Sequence, residues 1–417
     1  MVDAVFYARR KVGRIFPALK HKSYRYYFSG QLISLIGTWM QTVTLGWLVF
    51  QMTQSPFLVG FITAVQFLPM LIFTVVGGVI ADRVDKRKLL LTTQISFCIL
   101  ATVLGVLTVL GFANIWVIGV FAFLLGTVNA VDTPGRQSFI IEMVGREHLY
   151  SAITLNIGSF NSARVIGPAI AGFLLAKVGP GMTFIINGIS FLGPIIALSV
   201  MKIGQKRELK HHHPLLAMKI GLKYSYRHPI IRTFLIFTII FSIFGFSYTT
   251  MLPVIAERVY NQSAFGLGIL FSAAGLGAVV GTLFVAVYHE RFSQRKLLLI
   301  GSLLFAISLL IFTVTSNFYL ALIVLFVSGI GFASQLALIN TTIQNNVENQ
   351  LRGRVMSIFT TCLLGMQPLG NLQLGYLSEV IGSRPAIAIG ASIVLVFAIY
   401  LYLSFNKLTN IEYSAIT

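Results

Sequence analysis

Three charged side chains stand where the surrounding sequence is almost wholly apolar: Asp132, Arg136 and Arg164. Asp132 and Arg136 are four residues apart and share a helix face. In such surroundings an aspartate can take up a proton, and the planar guanidinium of Arg164 offers a fork that matches the oxygens of a carboxylate or catecholate. The same residues could serve structure instead, with Asp132 paired to Arg164 or to Arg136, and the spacing leaves both open. Uncharged polar groups are scattered through the other apolar runs: Gln41, Gln66, Tyr248, Gln335, Asn340, Gln367 and Asn371. Helix-to-helix hydrogen bonds account for any one of them, but as a set they are, with Arg164, candidates for contact with a bound solute. No paired carboxylates, metal-ligand cluster, or nucleophile with a base accompanies them, and no G-x-x-x-x-G-K-[ST] phosphate loop is present. The residues point to the binding and passage of a small molecule rather than to an enzyme. No cofactor and no metal is expected, and the energy would come from an ion gradient.

What positions these groups is a chain of 417 residues that is 56% hydrophobic and only 10% charged, with a mean hydropathy of +0.85. Soluble domains carry about 25% charged residues. A hydrocarbon core takes roughly 20 apolar residues to span, so charge-free stretches convert to helices by length. Tyr26 to Ala81 makes two spans with a turn ending at Pro56, and Leu89 to Val131 makes two more, turning near Gly111 and Asn114. The fifth and sixth run from Leu149 to Ala176 and from Val178 to Met201. The second half repeats the count with Thr233 to Ala256, Val259 to His289, a pair within Leu297 to Val347, then Val355 to Ser378 and Ala386 to Asn406. The fold class expected is an all-α membrane protein, twelve transmembrane helices in two six-helix halves at 23–201 and 231–406. Between and around them lie a basic amphipathic segment at 1–22, a linker at 202–230 and a tail at 407–417. In the linker Lys219, Lys223 and Arg227 share one helical face and Leu216, Ile220 and Tyr224 another, the pattern of a helix lying on a membrane surface.

A net charge of +19 could suggest nucleic acid, but its placement argues otherwise. With the N-terminus inside, every Lys and Arg except Lys177, Arg258, Arg384 and the intramembrane Arg164 falls in a cytoplasmic segment or at its edge. That is the positive-inside asymmetry, so both termini are expected in the cytoplasm, and no nucleic-acid partner is expected. Cys98 and Cys362 sit in apolar spans and suggest neither a disulfide nor a metal site. The first 25 residues are basic and lack a continuous apolar core, so no cleavable signal is expected. His211, His212 and His213 are consecutive and so do not share a helix face, which favours a solvated linker over a metal site.

The halves contain an internal repeat. GGVIADRVDKRKLLL, from Gly77 to Leu91, matches VAVYHERFSQRKLLL, from Val285 to Leu299, with Asp82 and Arg83 opposite Glu290 and Arg291. A tandem repeat of six spans places a pseudo-twofold axis along the membrane normal. Within the first copy, Gly78, Asp82, Arg83, Lys86 and Arg87 form G-x-x-x-D-R-x-x-K-R, which resembles the signature loop of the major facilitator superfamily, with Asp85 where that family usually has glycine. The resemblance implies a gating turn in which the glycine permits close helix approach and Asp82 pairs or caps across helix ends. FNSARVIGPAIAGFLL contains Gly167, Pro168 and Gly172 and looks like the glycine and proline motif of exporters in that superfamily, which is associated there with antiport. FSGQLISLIGTWMQTVTLGWLV, VDTPGRQSFIIEMV, LNIGSFNSARVIGP and LRGRVMSIF together resemble the branch that includes enterobactin exporters and macrolide efflux proteins.

The resemblance implies a secondary active transporter of the bacterial inner membrane that works by alternating access. It would couple protons to the export of a siderophore or drug-like amphiphile, in some cases anionic, and act as a monomer in the bilayer. The interiors of the first and seventh spans hold no acid, although many proton-coupled relatives have one there. Import of a siderophore or nutrient anion and lipid flipping are the alternative functions. The charge distribution makes a direct prediction: reporters fused after Arg10, His212 and Asn406 should all report the cytoplasm, and an external signal at His212 would break the two-half arrangement.

Overall fold

A computed structural model of the chain describes residues 16–201, 214–288, 291 and 293–416, without the side chains of Val75, Asp82, 214–217 and 404–416. Most of the segment expected to be amphipathic at the N-terminus, His211 to His213, and Glu290 lie outside the described residues. The helices are α1 (Lys22–Thr53), α2 (Pro56–Arg83), α3 (Lys86–Val109), α4 (Ile115–Val144), α5 (Leu149–Ser190), α6 (Leu192–Val200), α7 (Pro214–Arg227) and α8 (Pro229–Ile240). They continue with α9 (Leu252–Arg258), α10 (Ala264–Tyr288), α11 (Gln294–Val314), α12 (Phe318–Asn345), α13 (Arg352–Leu364), α14 (Gln367–Ile381) and α15 (Ser383–Ile416).

Among the described residues ten helical segments are long and apolar enough to cross a membrane. Two features separate that number from twelve. Leu149–Val200 is counted once although it has 52 residues, which at ~1.5 Å per residue is far more than a ~30 Å hydrocarbon core needs. Gly179, at φ 77° and followed by Pro180, breaks it into two passages. α13 and α14 are each too short to be counted, but they follow one another with only Gly365 and Met366 between them. Taken as two passages and one, these segments restore the expected twelve.

By packing, the chain falls into two compact units, one of Met1–Thr44 with Ile72–His211 and one of Leu45–Leu71 with His212–Thr417. In the first unit α3 packs along α5 and against α4. One end of this unit is sealed by buried Tyr24, Tyr27, Leu90, Phe139 and Leu198. Ser159, Ala163, Gly167 and Ala171 form a buried stripe at four-residue spacing on α5. A Cβ at Gly167 would lie 2.6 Å from that of Trp39 and 2.8 Å from the Ile36 carbonyl, so this stripe is where α5 meets α1.

In the second unit α12 packs between α10 and α11. A Cβ on Gly277 or Gly329 would collide with the Phe326 or Ala274 carbonyl, so the backbones of α10 and α12 touch. α7 buries Gly221 and Ser225 while Lys219, Ile220, Lys223 and Arg227 are exposed, and Tyr224 packs on an inner cluster around Phe234, Ile339 and Val355. The seventh span is irregular at its middle. A π turn over Phe241–Gly245 and a 3-10 turn over Phe246–Met251 separate α8 from α9. Ser242 donates to the Leu363 carbonyl at 2.7 Å, and a Cβ at Gly370 would lie 2.6 Å from the Ile243 carbonyl. Such insertions within helices are common at functional sites.

The Gly277 contact is testable by stability. Gly277→Leu should lower the melting temperature in detergent, overpacking costing about 1–3 kcal/mol. Gly78→Ala should not, since nothing lies within 4 Å of a Cβ there.

Candidate functional site

In the first unit the charge centre is Asp132. It is fully buried on α4, and both carboxylate oxygens are engaged. Oδ1 accepts from Thr93 Oγ1 at 2.6 Å and Gln94 Nε2 at 2.9 Å, both on α3. Oδ2 accepts from Arg136 Nε at 3.1 Å and from Arg136 Nη2. Of the two pairings the spacing allowed, the structure forms Asp132–Arg136. Arg164 is placed elsewhere, its guanidinium 5.9 Å above the Trp39 ring, which itself meets Phe160 edge-on at 5.6 Å. Gln41 is buried and accepts from Asn187 Nδ2, a partner that spacing alone did not single out. In the same unit, a cavity with room for about one water is lined by Tyr27, Gln31, Asn156 and Ser159. The Tyr27 hydroxyl and Gln31 Oε1 are buried there with no partner among the described residues.

The turn carrying the signature motif is built by repetition. Asp85 caps α3, accepting from the Lys88 amide at 2.9 Å, and Ser293, at the matching place in the second copy, accepts from the Lys296 amide at 3.4 Å. Arg87 Nε and Nη2 donate to the carbonyls of Leu198 and Ser199 at 2.6 and 2.7 Å, at the end of α6. Its counterpart Arg295 donates twice to the Tyr402 carbonyl, at 3.1 and 2.6 Å, near the end of the twelfth span. Lys86 pairs with Glu142 of α4, and Arg291 lies 5.9 Å from the Tyr288 ring centre. Arg83 is exposed, whereas the Asp82 side chain and Glu290 lie outside the described part. One expectation is corrected: Gly78 has open space around it, and close approach falls to Gly77, whose Cβ would collide with the Ala130 carbonyl of α4. Adjacent helix positions point in different directions, and only Gly77 faces α4.

In the second unit three of the polar candidates keep an unused donor. Gln335 is fully buried and accepts from Ser302 Oγ at 2.9 Å, while its Nε2 has no partner among the described residues. Asn371 accepts from Thr250 Oγ1 at 2.9 Å, and its Nδ2 is likewise unpartnered. Gln367, one turn before it on α14, also has an unpartnered, buried Nε2. Tyr248 is buried in the 3-10 turn, 6.1 Å from the Phe305 ring. Asn340 accepts from Gln344 one turn along α12, and Gln66 is half-buried. In the turn after α9, burial pushes the Tyr260 phenol up to about 12 against the opposing pull of Arg384, and its hydroxyl donates to the Thr315 carbonyl at 3.2 Å.

A buried ion pair on one unit, unfilled amide donors on another and a repeated turn between the second and third spans of each half suit a transport protein, and comparison with known proteins decides the family. The model of the major facilitator transmembrane secretion effector family matches residues 14–416. The chain belongs to this family. It is a multi-pass membrane transporter and not an enzyme. The staphyloferrin A transporter of Staphylococcus aureus is 28% identical to it, over 94% of this chain and 98% of that protein. The multidrug efflux pump Tap of Mycolicibacterium fortuitum is 23% identical, over 83% and 87%. The enterobactin exporter of Shigella boydii is 24% identical, over 85% of each. Among solved structures, a bacterial homologue of the human lysosomal transporter Spinster superposes with a TM-score of 0.77 at 14% identity, over 93% of this chain and 98% of that one, which shows the shared fold.

For this transporter the charge centre makes a clear prediction. Arg136→Ala leaves the Asp132 carboxylate buried without its ion-pair partner and should lower stability by about 3–5 kcal/mol. Adding Asp132→Asn should recover most of the loss in thermal melting of the purified protein. An Arg136→Ala protein as stable as the parent would mean that Thr93 and Gln94 suffice to hold the acid.

Proposed function

We propose that this transporter exports a siderophore-like or drug-like amphiphile rich in hydrogen-bond acceptors, across the inner membrane and in exchange for protons. Both termini would then lie in the cytoplasm. The observation that carries the substrate class is the set of buried amide donors of Gln335, Gln367 and Asn371 that have no partner among the described residues. A buried N–H left without an acceptor costs about 1–3 kcal/mol, a cost that carboxylate, hydroxamate or catecholate oxygens of a solute would relieve. Arg164 adds a fixed positive charge in an apolar span, where burial costs at least about 2.5–3.5 kcal/mol, and its fork suits an anionic group. The names of the relatives, two for siderophores and one for multidrug efflux, agree with that chemistry.

Asp132 has four donors upon it, so taking up a proton there requires Arg136 to let go. We assign the pair to a charge relay that breaks and re-forms during the cycle. The turn around Gly78, Asp82, Arg83, Lys86 and Arg87, with Glu290 and Arg291 in the second copy, would be the inner gate, and the Gly167–Pro168–Gly172 stretch the packing seam of α5.

The experiment compares secreted and retained metabolites in cells with and without the protein. A siderophore-like acid should accumulate inside cells that lack it. Arg164→Lys and Arg164→Ala, expressed at normal levels, should both reduce secretion at least about tenfold, because an ammonium cannot reproduce the bidentate fork. Full secretion with Arg164→Ala would remove Arg164 from the substrate path.

A further inference from the structure

We propose that Glu257 and Glu379 are positioning residues of the transport cycle, latching the outer ends of α1 and α2 to the C-terminal half. The inference rests on the orientation and transport reading above. Both acids stand at span ends, where solvation would be the ordinary expectation. Glu379, at the end of α14, instead accepts through one oxygen from Ser55 Oγ at 2.8 Å and from the Phe57 amide at 3.0 Å. These donors lie at the first turn of α2, where unsatisfied amides and the helix dipole favour a negative group. Glu257, at the end of α9, accepts from Gln51 Nε2 and, at 3.4 Å, from Gln54 Nε2. Arg258 donates to the Gln54 carbonyl, and Gln54 has a left-handed backbone at φ 52°, uncommon for a residue other than glycine.

More than 200 residues separate each acid from its donors. The bonds therefore join the α1–α2 turn to two spans of the other six-helix half, and the packing follows them, since Leu45–Leu71 clusters with His212–Thr417. Between the latch and the middle of the span α2 and α14 touch, a Cβ on Gly375 falling 3.0 Å from the Gly60 Cα. The other charged groups on the elements packed here are Arg258, already bonded to the turn, and Arg384 of α15, which donates to the Thr315 carbonyl at 2.5 Å and to Ser316. Residues 45–71 carry no charge of their own. Beside the Gln54 carbonyl that Arg258 holds, the two carboxylates are thus the side-chain acceptors that hold this end shut, and opening it to the outside requires their bonds to break.

The test reads opening as thiol accessibility. In a Cys98→Ser/Cys362→Ser background, Val59→Cys places a thiol at a position that is 1% exposed, beneath the latch. Ser263→Cys, exposed at the same end, reports which face of the membrane that end occupies. Labelling with a membrane-impermeant maleimide is measured in right-side-out and inside-out vesicles, and the latch is read from the side that labels Ser263→Cys. A reversed orientation would therefore count against the orientation reading alone. Glu257→Gln/Glu379→Gln should raise the Val59→Cys labelling rate about threefold to tenfold, with melting temperature and Ser263→Cys labelling unchanged. Ser55→Ala, which removes one donor and leaves both acids in place, should give a smaller rise. Labelling rates of Val59→Cys that stay within twofold of the parent in both variants would overturn the assignment.

Discussion

A peptide group or carboxylate inside the hydrocarbon layer has no water to bond, so each must find its partner within the protein. Backbone groups do this by forming helices, and the side chains that bring helices together must then leave their carbonyls undisturbed. That is why close approaches occur at glycines such as Gly77, Gly167 and Gly277, where a side chain would strike a neighbouring backbone. The same constraint governs Asp132. Its four donors come from Thr93 and Gln94 of the neighbouring helix and from Arg136 one turn away, so the acid is satisfied where it sits. Satisfaction is incomplete at several buried groups among the described residues, and at the polar candidates Gln335, Gln367 and Asn371 of the second unit what is left over is an amide donor. A solute that brings acceptors would complete these sites.

The internal repeat extends from sequence to hydrogen bonding. Asp85 and Ser293 perform the same N-terminal cap with different side chains, and Arg87 and Arg295 tie their turns to carbonyls of the last span of each half. The Leu198 and Ser199 carbonyls lie in the last turn of α6, where they have no intrahelical partner and carry partial negative charge, so a guanidinium is well matched to them, whereas the Tyr402 carbonyl lies within α15. Each six-helix half thus has its second-to-third turn fastened to its sixth span.

Much of this was legible in the sequence because hydrophobic length and charge are local properties. The spans, the turn at Asn114, which caps α4 at the Trp116 and Val117 amides, and the break near Lys177 followed directly. What escaped depended on which residues meet in three dimensions. Spacing put Asp132 within reach of both Arg136 and Arg164, and only the packing of α5 on α1, which sets Arg164 beside Trp39, separates the two. The motif singles out Gly78, but its neighbour Gly77 is the glycine that faces α4. Asn187 bonds Gln41 across the unit from a span whose own pattern gives no sign of it, and the irregular middle of the seventh span is the part that packs on α13 and α14. Glu257 and Glu379 looked like solvated span ends because their donors lie hundreds of residues earlier.

On the proposed function, the protein carries a small acceptor-rich solute outward at the expense of a proton gradient. Inside-out vesicles test it most directly, because their lumen corresponds to the cell exterior and can be made acidic. With a radiolabelled carboxylate siderophore outside, vesicles containing the protein should accumulate label only while the lumen is acidic and lose it when a protonophore is added. Accumulation confined to right-side-out vesicles, or indifferent to the proton gradient, would contradict the account.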